Sequence, residues 1–315
     1  MIRRMAHWGL ALACAGLLWG QANIEPRPRP AAAKDETLPK PDLRVDTTLV
    51  LVPVSVNDPL NRPVTGLEKE NFRVYEDRVE QKIVSFSSED EPIAVGLVFD
   101  TSGSMGEKLR RSRMAASEFF KFADPSDEYF LVEFDNTPRL EVPLTRDTGR
   151  IEEQLTFSRS HGSTSLLDAV YLALHEMKKS KMNKKALLII SDGGDNHSRY
   201  TVTEVNDVVR ESDVLIYSIG VFGGGSTPEE MDGPGLLSKI SEETGGRLFE
   251  ADPVELPDIA KSIGIELRNR YVLGYSPKNE TRDGKYRRVF VRVAPPRGLP
   301  PLKAHWRLGY YAPLQ

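Results

Sequence analysis

Residues 93–104 read Ile93-Ala94-Val95-Gly96-Leu97-Val98-Phe99-Asp100-Thr101-Ser102-Gly103-Ser104, an unbroken apolar run that ends in a polar, glycine-containing cluster. A run of this length, with β-branched side chains and no alternating polar positions, is typical of a strand buried on both faces. Such strands belong to parallel sheets that helices cover on both sides. The stretch therefore predicts an α/β domain with a polar cluster at the carboxyl end of one central strand.

Strands and helices alternate along the chain beyond this stretch. Apolar runs predict strands at 129–134, 186–190, 214–221 and 247–250. Amphipathic periodicity predicts helices at 107–123, 165–179, 203–211, 236–243 and 256–270, with Thr203 as an N-cap and Gly245-Gly246 as a C-cap. This alternation predicts a doubly wound, mostly parallel sheet with helices on both faces, a Rossmann-like α/β domain over residues 91–268.

Segments of β character flank this domain on both sides. Strands are expected at 49–56, 72–76 and 81–86 before it, and at 271–275, 286–293 and 305–310 after it. No helical periodicity separates them. We therefore expect an N-terminal β segment (45–90) and a C-terminal β segment (269–315) that pack into one β-sandwich, with the α/β domain inserted between them.

The first 22 residues have the pattern of an export signal. Arg3 and Arg4 precede an apolar run that is short for a membrane span, and Gly20-Gln21-Ala22 offers small residues for cleavage after Ala22. This predicts a secreted or periplasmic protein without an integral span after cleavage. An uncleaved anchor is the alternative; a lipid anchor at Cys14 is disfavoured because the usual leucine three residues earlier is missing. Residues 23–44 are proline-rich and predict an extended tether.

Composition excludes several classes of protein. With 39% hydrophobic and 28% charged residues, the chain is neither disordered throughout nor a polytopic membrane protein. A net charge of −4 without a basic stripe argues against nucleic-acid binding. The single cysteine, Cys14, lies in the leader, so a thiolate metal site and a cysteine nucleophile are excluded from the mature protein. Oligomeric state is left open.

Three clusters of oxygen ligands follow or precede the predicted elements of the α/β domain. They are Asp100 to Ser104, Gly162 to Ser165, and Ser191 to Gly194. Ligands of doubly wound sheets bind beyond the carboxyl ends of the strands, so the three clusters are expected on one rim. Carboxylate and hydroxyl oxygens suit Mg²⁺, with Mn²⁺ or Ca²⁺ as alternatives. Few of these ligands are negative, so a bound cation would keep a position for an external carboxylate.

The motif Asp-x-Ser-x-Ser after an apolar strand, a threonine in a later loop and Ser-Asp-Gly after another strand resemble the von Willebrand factor type A domain. The resemblance implies a metal-ion-dependent adhesion site, whose ligands would be Asp100, Ser102, Ser104, Thr164 and Asp192, the aspartates often through water. The flanking segments 64–67, 271–275 and 309–311 also resemble exported acidobacterial proteins that carry this domain.

Other polar residues near these loops have plainer interpretations. Asp168 is expected on the helix surface or supporting a ligand, and Asp195 and Asn196 in a solvated loop. His161 and His197 are expected to be exposed, and Gly223-Gly224-Gly225 lacks the spacing of a phosphate-binding loop and is expected to be flexible. Asp100 and Asp192 could instead cap turns, although that would leave the accompanying hydroxyls unexplained.

Three function classes follow from these residues. The leading one is a binding module that captures an Asp or Glu of a protein partner through the cation. A structural component of an envelope assembly, in which the metal only rigidifies the rim, is the second. A metal-dependent hydrolase is the third, but no Gly-x-Ser-x-Gly, Ser-x-x-Lys or His-Glu-x-x-His motif occurs, so we expect no enzyme.

Overall fold

The computed structural model describes residues 49–88, 91–222, 228–250 and 255–314. The expected signal peptide, the tether and the Gly223-Gly224-Gly225 loop lie outside these ranges. Within the ranges, no helix has both the length and the apolar character needed to cross a bilayer.

The strands in these ranges are β1 (Val50–Asn57), β2 (Phe72–Glu76), β3 (Val79–Gln81), β4 (Ile83–Ser87), β5 (Ile93–Asp100), β6 (Glu128–Phe134), β7 (Pro138–Thr145), β8 (Lys184–Ser191), β9 (Leu215–Gly220), β10 (Leu248–Glu250), β11 (Tyr271–Tyr275), β12 (Tyr286–Val293), β13 (Lys303–Trp306) and β14 (Gly309–Tyr311). The α-helices are α1 (Leu109–Phe120), α2 (Thr148–Phe157), α3 (Leu166–Met177), α4 (Val202–Glu211), α5 (Pro228–Thr244) and α6 (Leu256–Arg268). Short 3₁₀ helices lie at Lys69–Asn71 and Gly103–Lys108.

A six-stranded sheet with the order β10-β9-β8-β5-β6-β7 forms the centre of the α/β domain. All neighbouring strands are parallel except the edge strand β7, which runs antiparallel to β6. Every residue of β5 is buried, as its unbroken apolar run predicts. The predicted doubly wound, mostly parallel sheet is confirmed.

Helices cover both faces of this sheet. Helices α1, α2 and α6 bury one face with Phe99, Leu131 and Ile190, and α3, α4 and α5 bury the other with Val98, Val132 and Ile189. Successive strand residues point to opposite faces, so the alternating members of each apolar run supply both cores. The central strands are therefore buried along their length, and the carboxyl ends of the parallel strands share one edge of the sheet.

The flanking segments form two further sheets, with the orders β13-β1-β11-β4 and β14-β12-β2-β3. Each sheet contains strands from both sides of the α/β domain. Their inward side chains, among them Val54, Phe72, Tyr271 and Val291, belong to one apolar cluster. The two sheets are therefore the layers of a β-sandwich.

Two of the expected flanking strands are each divided in the structure. The expected strand at 81–86 is β3 and β4, and the expected strand at 305–310 is β13 and β14. In both cases the two pieces belong to different sheets. The chain crosses from one layer of the sandwich to the other at Lys82 and again after Trp306, so a continuous β pattern is cut by a change of sheet.

A buried hydrogen-bond network joins the sandwich to the α/β domain. Glu266 of α6, only 1% exposed, accepts hydrogen bonds from Asn57 Nδ2 at 3.1 Å, from the Tyr217 hydroxyl at 2.7 Å and from Arg247 Nη2 at 2.7 Å. Asn57 ends β1, while Tyr217 lies in β9. One carboxylate thus satisfies donors from both parts of the chain.

Candidate metal centre

The three predicted clusters meet at the carboxyl edge of the central sheet. Asp100 is the last residue of β5, and Asp192 follows the last residue of β8. Strand β5 has β6 on one side and β8 on the other, so the order of the strands reverses here. Such a switch point opens a crevice beyond the strand ends, which is where ligands of open α/β sheets bind.

Asp100 is a fully buried carboxylate held by two hydrogen bonds. The Ser102 backbone N–H donates to Oδ1 at 2.8 Å, and the Ser191 hydroxyl donates to Oδ2 at 2.5 Å. Burial raises the pKa of Asp100 to about 7, and the charge of Asp192 adds to this effect. Two carboxylates thus share a site from which water is largely excluded, so a nearby positive charge would stabilise their ionised forms.

The two serine hydroxyls of the first cluster lie side by side. The Ser102 and Ser104 Oγ atoms are 3.1 Å apart; Ser102 is buried and Ser104 is exposed. Between them, the Gly103 N–H donates to the Gly162 carbonyl at 3.0 Å. A Cβ at Gly103 would stand only 3.0 Å from that same oxygen, so glycine permits this approach of the loops.

Thr164 is placed by contacts with the loop that continues from the third cluster. Its N–H donates to Asn196 Oδ1 at 2.9 Å, and its carbonyl accepts from the backbone N–H groups of Asn196 and His197 at 3.1 and 3.0 Å. On the other side, the His161 N–H donates to the Thr101 carbonyl at 2.8 Å. Hydrogen bonds therefore tie the second loop to both of the others.

Lys108 also lies at this site, although no sequence motif includes it. Its ammonium Nζ lies 3.0 Å from Oδ2 of Asp192, and the two side chains are only 17% and 1% exposed. The residue ends the 3₁₀ helix that the first cluster begins. In the sequence, Lys108 is marked only by its position four residues after Ser104. That spacing does not predict a contact with Asp192 unless the fold is known.

Asp168, Asp195 and Asn196 support the loops. Asp195 Oδ2 accepts from the Leu167 N–H at 2.8 Å, at the start of α3, and from the Ser198 hydroxyl at 2.7 Å. Asp168 Oδ1 accepts from the N–H groups of Arg199 and Tyr200. Asn196 is exposed, as expected of a solvated loop, and its side chain also holds Thr164, whereas Asp195 is half-buried against the start of α3.

Both histidines at the rim are exposed, as expected. His161 Nδ1 lies 3.1 Å from Oδ2 of Asp135, whose carboxylate follows the end of β6. Asp135 also receives a hydrogen bond from Arg139 Nη1 at 3.0 Å. These contacts hold the neighbouring loop in place and leave the His161 ring at the surface.

The donor chemistry fits a hard divalent cation. The rim offers two buried carboxylates, Asp100 and Asp192, and the hydroxyls of Ser102, Ser104 and Thr164. Among the described residues, no group of three or more His, Cys, Asp or Glu side chains is arranged to hold a metal. A site here would therefore rely on hydroxyl oxygens, which favours Mg²⁺ over metals that prefer nitrogen or sulfur.

Comparison with known proteins agrees with this architecture. Residues 95–194 match the family model of the von Willebrand factor type A domain. An uncharacterized protein of Borreliella burgdorferi is 27% identical over 181 residues, which is 50% of this chain and 53% of that protein. The chain thus spans about half the length of the curated relative it matches.

Two solved structures are similar to this chain at low sequence identity. A von Willebrand factor type A protein from Catenulispora acidiphila is 12% identical with a TM-score of 0.50, over 86% of this chain and 75% of that chain. The vWF domain of the type V pili tip protein Mfa5 from Porphyromonas gingivalis is 15% identical with a TM-score of 0.45, over 56% of this chain and 96% of that chain. The central sheet, its flanking helices and the family match together show that this chain contains an α/β domain of the von Willebrand factor type A fold.

Proposed function

We propose that this chain is an exported, metal-dependent protein-binding module of the adhesion type. The observation that carries the proposal is the fully buried Asp100, whose pKa is raised in part by the charge of Asp192, in a loop where the Ser102 and Ser104 hydroxyls lie 3.1 Å apart. Export is proposed from the leader-like pattern of residues 1–22. The match to the von Willebrand factor type A family supports a role in protein interaction.

Each candidate residue has a distinct task in this proposal. Ser102, Ser104 and Thr164 would hold Mg²⁺ through their hydroxyls, and Asp100 and Asp192 would supply the negative charge. A bound Mg²⁺ supplies an electrophilic centre that can accept a carboxylate oxygen from another protein. Because three of the five protein ligands are neutral, the set does not carry more negative charge than Mg²⁺ can balance, and the octahedral ion keeps a sixth position for an Asp or Glu of the partner. Ser191 fixes the orientation of Asp100, and Lys108 pairs with Asp192.

The first test is a thermal-unfolding titration of the full chain with Mg²⁺, Mn²⁺ and Ca²⁺. A ligand that binds only the folded state raises stability by RT ln(1 + [L]/Kd), or about 2.7 kcal/mol at a hundredfold excess over Kd. We expect a saturable rise in the parent protein and none in Asp100→Ala. The matched control is Asp207→Asn, an exposed carboxylate on α4 that should retain the rise. A rise that survives in Asp100→Ala would refute the proposed ligand set.

A second test separates capture of a partner from a purely structural role of the metal. Surface-bound peptides that present one Glu should retain the Mg²⁺-loaded protein, and their Gln counterparts should not. Retention without dependence on Glu or on Mg²⁺ would favour an envelope component whose contacts lie elsewhere. Turnover of a phosphoester or peptide that stops with EDTA would instead identify a hydrolase.

A further inference from the structure

A second potential binding site lies at the outer face of the β-sandwich. A groove of about 980 Å³ runs between β12 and the carboxyl ends of α4 and α5. Its lining includes Tyr75, Arg78, Arg288, Phe290 and Arg292. On β12 these side chains are exposed, while the alternating Val289 and Val291 are buried in the sandwich.

The groove carries positive charge that the described residues neutralise only in part. Across the described ranges, no acidic side chain forms an ion pair with Arg78, Arg288 or Arg292. Arg210, at the other wall, is paired with Glu243 through Nε–Oε2 at 3.0 Å and Nη2–Oε1 at 2.7 Å. The Asp77 carboxylate is occupied in part, since Oδ1 accepts the Arg288 backbone N–H at 3.0 Å. Three guanidinium groups therefore remain available to an anionic ligand.

Aromatic rings form the floor between these arginines. Phe290 is 54% exposed, and its ring stands edge-on against Trp306 at 5.2 Å and tilted against Tyr75 at 6.1 Å. A large exposed aromatic ring, held in place by other rings and flanked by arginines, has the composition of the energetic centres of protein interfaces. The groove thus combines an apolar anchor with charges.

The turn that contains Arg78 has a backbone conformation that is unfavourable for residues other than glycine and asparagine or aspartate, so arginine there lowers the stability of the folded state. Asp77 and Arg78 join β2 to β3 with φ angles of 47° and 71°, both in the left-handed region. A two-residue hairpin turn of this kind prefers Asn-Gly or Asp-Gly. Arginine at the second position is therefore unfavourable for folding relative to glycine, which suggests that its side chain serves the groove.

We propose that this groove binds an extended acidic segment of a partner polypeptide. Arg288, Phe290 and Arg292 occupy every second position of β12, so their side chains recur at intervals of roughly 7 Å. An extended peptide repeats its side chains at the same interval. A segment with carboxylates two residues either side of an apolar side chain would match the two guanidiniums and the Phe290 ring. Guanidinium groups can also bind carboxylates through paired hydrogen bonds.

The groove is independent of the candidate metal centre. Helices that follow parallel strands run back toward the amino ends of those strands, so the carboxyl ends of α4 and α5 lie at the edge of the sheet opposite Asp100 and Asp192. The two sites could therefore engage different regions of one partner or two different partners.

Trp306 provides a direct reporter for this binding. The chain has three tryptophans, and Trp8→Phe with Trp19→Phe leaves Trp306 alone, in contact with Phe290. The probe is the synthetic peptide Ser-Glu-Ser-Leu-Ser-Glu-Ser, compared with the same residues in the order Ser-Ser-Leu-Ser-Ser-Glu-Glu, titrated with EDTA present. We expect a saturable change in Trp306 emission, at least fivefold weaker binding of the reordered peptide, and at least tenfold weaker binding to Arg288→Ala with Arg292→Ala. The control Arg297→Ala removes an exposed arginine outside the groove and should bind like the parent.

The Arg78→Gly variant separates binding from folding. The variant should have a higher unfolding midpoint, because glycine suits the turn. It should also bind the matched peptide several-fold more weakly. Equal affinity for both peptide orders, or full binding by the double arginine variant, would overturn the proposal. The proposal would also be overturned if polygalacturonate or inorganic phosphate bound as tightly as the matched peptide. Either result would show that the groove recognises negative charge without regard to the apolar side chain.

Discussion

The Lys108 ammonium lies 3.0 Å from Oδ2 of Asp192, so a side chain of the protein places a positive charge within the candidate metal centre. A divalent cation that binds Asp192 must compete with this ammonium for the carboxylate. Lys108 is only 17% exposed, so water screens the pair weakly. The lysine should therefore stabilise the metal-free protein while lowering the affinity for the cation.

Replacing Lys108 with methionine should raise Mg²⁺ affinity by about fivefold to tenfold, which corresponds to about 1–1.4 kcal/mol. The unfolding midpoint in EDTA should fall at the same time, because two buried carboxylates lose a counter-charge. Isothermal titration calorimetry with MgCl₂ measures the first effect. Lys121→Met, which removes a 60% exposed lysine at the end of α1, is the control and should change neither quantity appreciably. Weaker Mg²⁺ binding by Lys108→Met would show that the lysine assists the metal rather than competing with it.

The buried Asp100 should make the stability of the metal-free protein dependent on pH. Burial, together with the charge of Asp192, raises the pKa of Asp100 from the ordinary 3.8 to about 7. Between these values the folded protein holds a proton that the unfolded chain has released. The contribution of Asp100 to the free energy of unfolding is therefore fully present below about pH 4 and declines by a few kcal/mol as the pH rises to 7.

Urea unfolding in EDTA at several pH values tests this dependence. Asp100→Asn cannot ionise, so its stability relative to the parent should increase from pH 4 to pH 7 and then level off. In excess Mg²⁺ above pH 7 the parent should be more stable than Asp100→Asn, because only the parent gains stability from the cation. Parallel pH curves for the two proteins in EDTA would contradict the raised pKa.

Gly193 should tolerate no side chain, because the third loop packs directly on α5. Its φ is +80°, and a Cβ there would stand 2.6 Å from the Gly233 carbonyl oxygen. Gly193→Ala should cost about 2 kcal/mol or more of stability and also weaken Mg²⁺ binding, since Asp192 would be displaced.

The control for Gly193 is Gly106→Ala in the neighbouring 3₁₀ helix, where an added Cβ meets nothing within 4 Å. This variant should stay within about 0.5 kcal/mol of the parent and retain its metal affinity. Chemical unfolding and calorimetry compare both variants. Similar behaviour of the two alanine variants would show that the third loop can move without loss.

Glu266 should be essential for the junction between the sandwich and the α/β domain. Glu266→Ala leaves the buried donors of Asn57, Tyr217 and Arg247 without their shared acceptor. We expect a loss of about 3–5 kcal/mol and a single unfolding transition that divides into two. Differential scanning calorimetry records both. Glu153→Ala, an exposed position on α2, is the control; a loss below about 1 kcal/mol in Glu266→Ala would show that the junction does not depend on this carboxylate.

The elements that sequence reasoning predicted best are those with one uninterrupted burial pattern. Strands β2, β11 and β12 lie at their predicted residues, and β5 carries the buried apolar run from Ile93. In contrast, β7 and α2 were not predicted. Strand β7 lies at the edge of the sheet, contains Pro138 and Pro143 and is mostly half-exposed, so it lacks a strong apolar period.

Local capping and long-range pairing explain the remaining differences. Helix α4 begins earlier than predicted because Thr201, rather than Thr203, forms the cap, with a reciprocal contact to Glu204. The candidate ligands could be identified because they belong to short motifs next to predicted elements. The contacts of Lys108 with Asp192 and of Asn196 with Thr164 could not be predicted, because in each case the two residues are far apart in the sequence.

The pairing of β4 with β11 has a consequence for the order of folding. Ser87 lies opposite Val272 in this antiparallel pair, although roughly 180 residues separate them along the chain. Closing an unfolded loop of that length costs about 4–5 kcal/mol of chain entropy. If the inserted domain folds first, its two ends are already brought together and the loop becomes short. The sandwich should therefore be the last part to gain protection in pulsed hydrogen exchange, and a nascent chain would complete it only after strands β11 to β14 have left the ribosome.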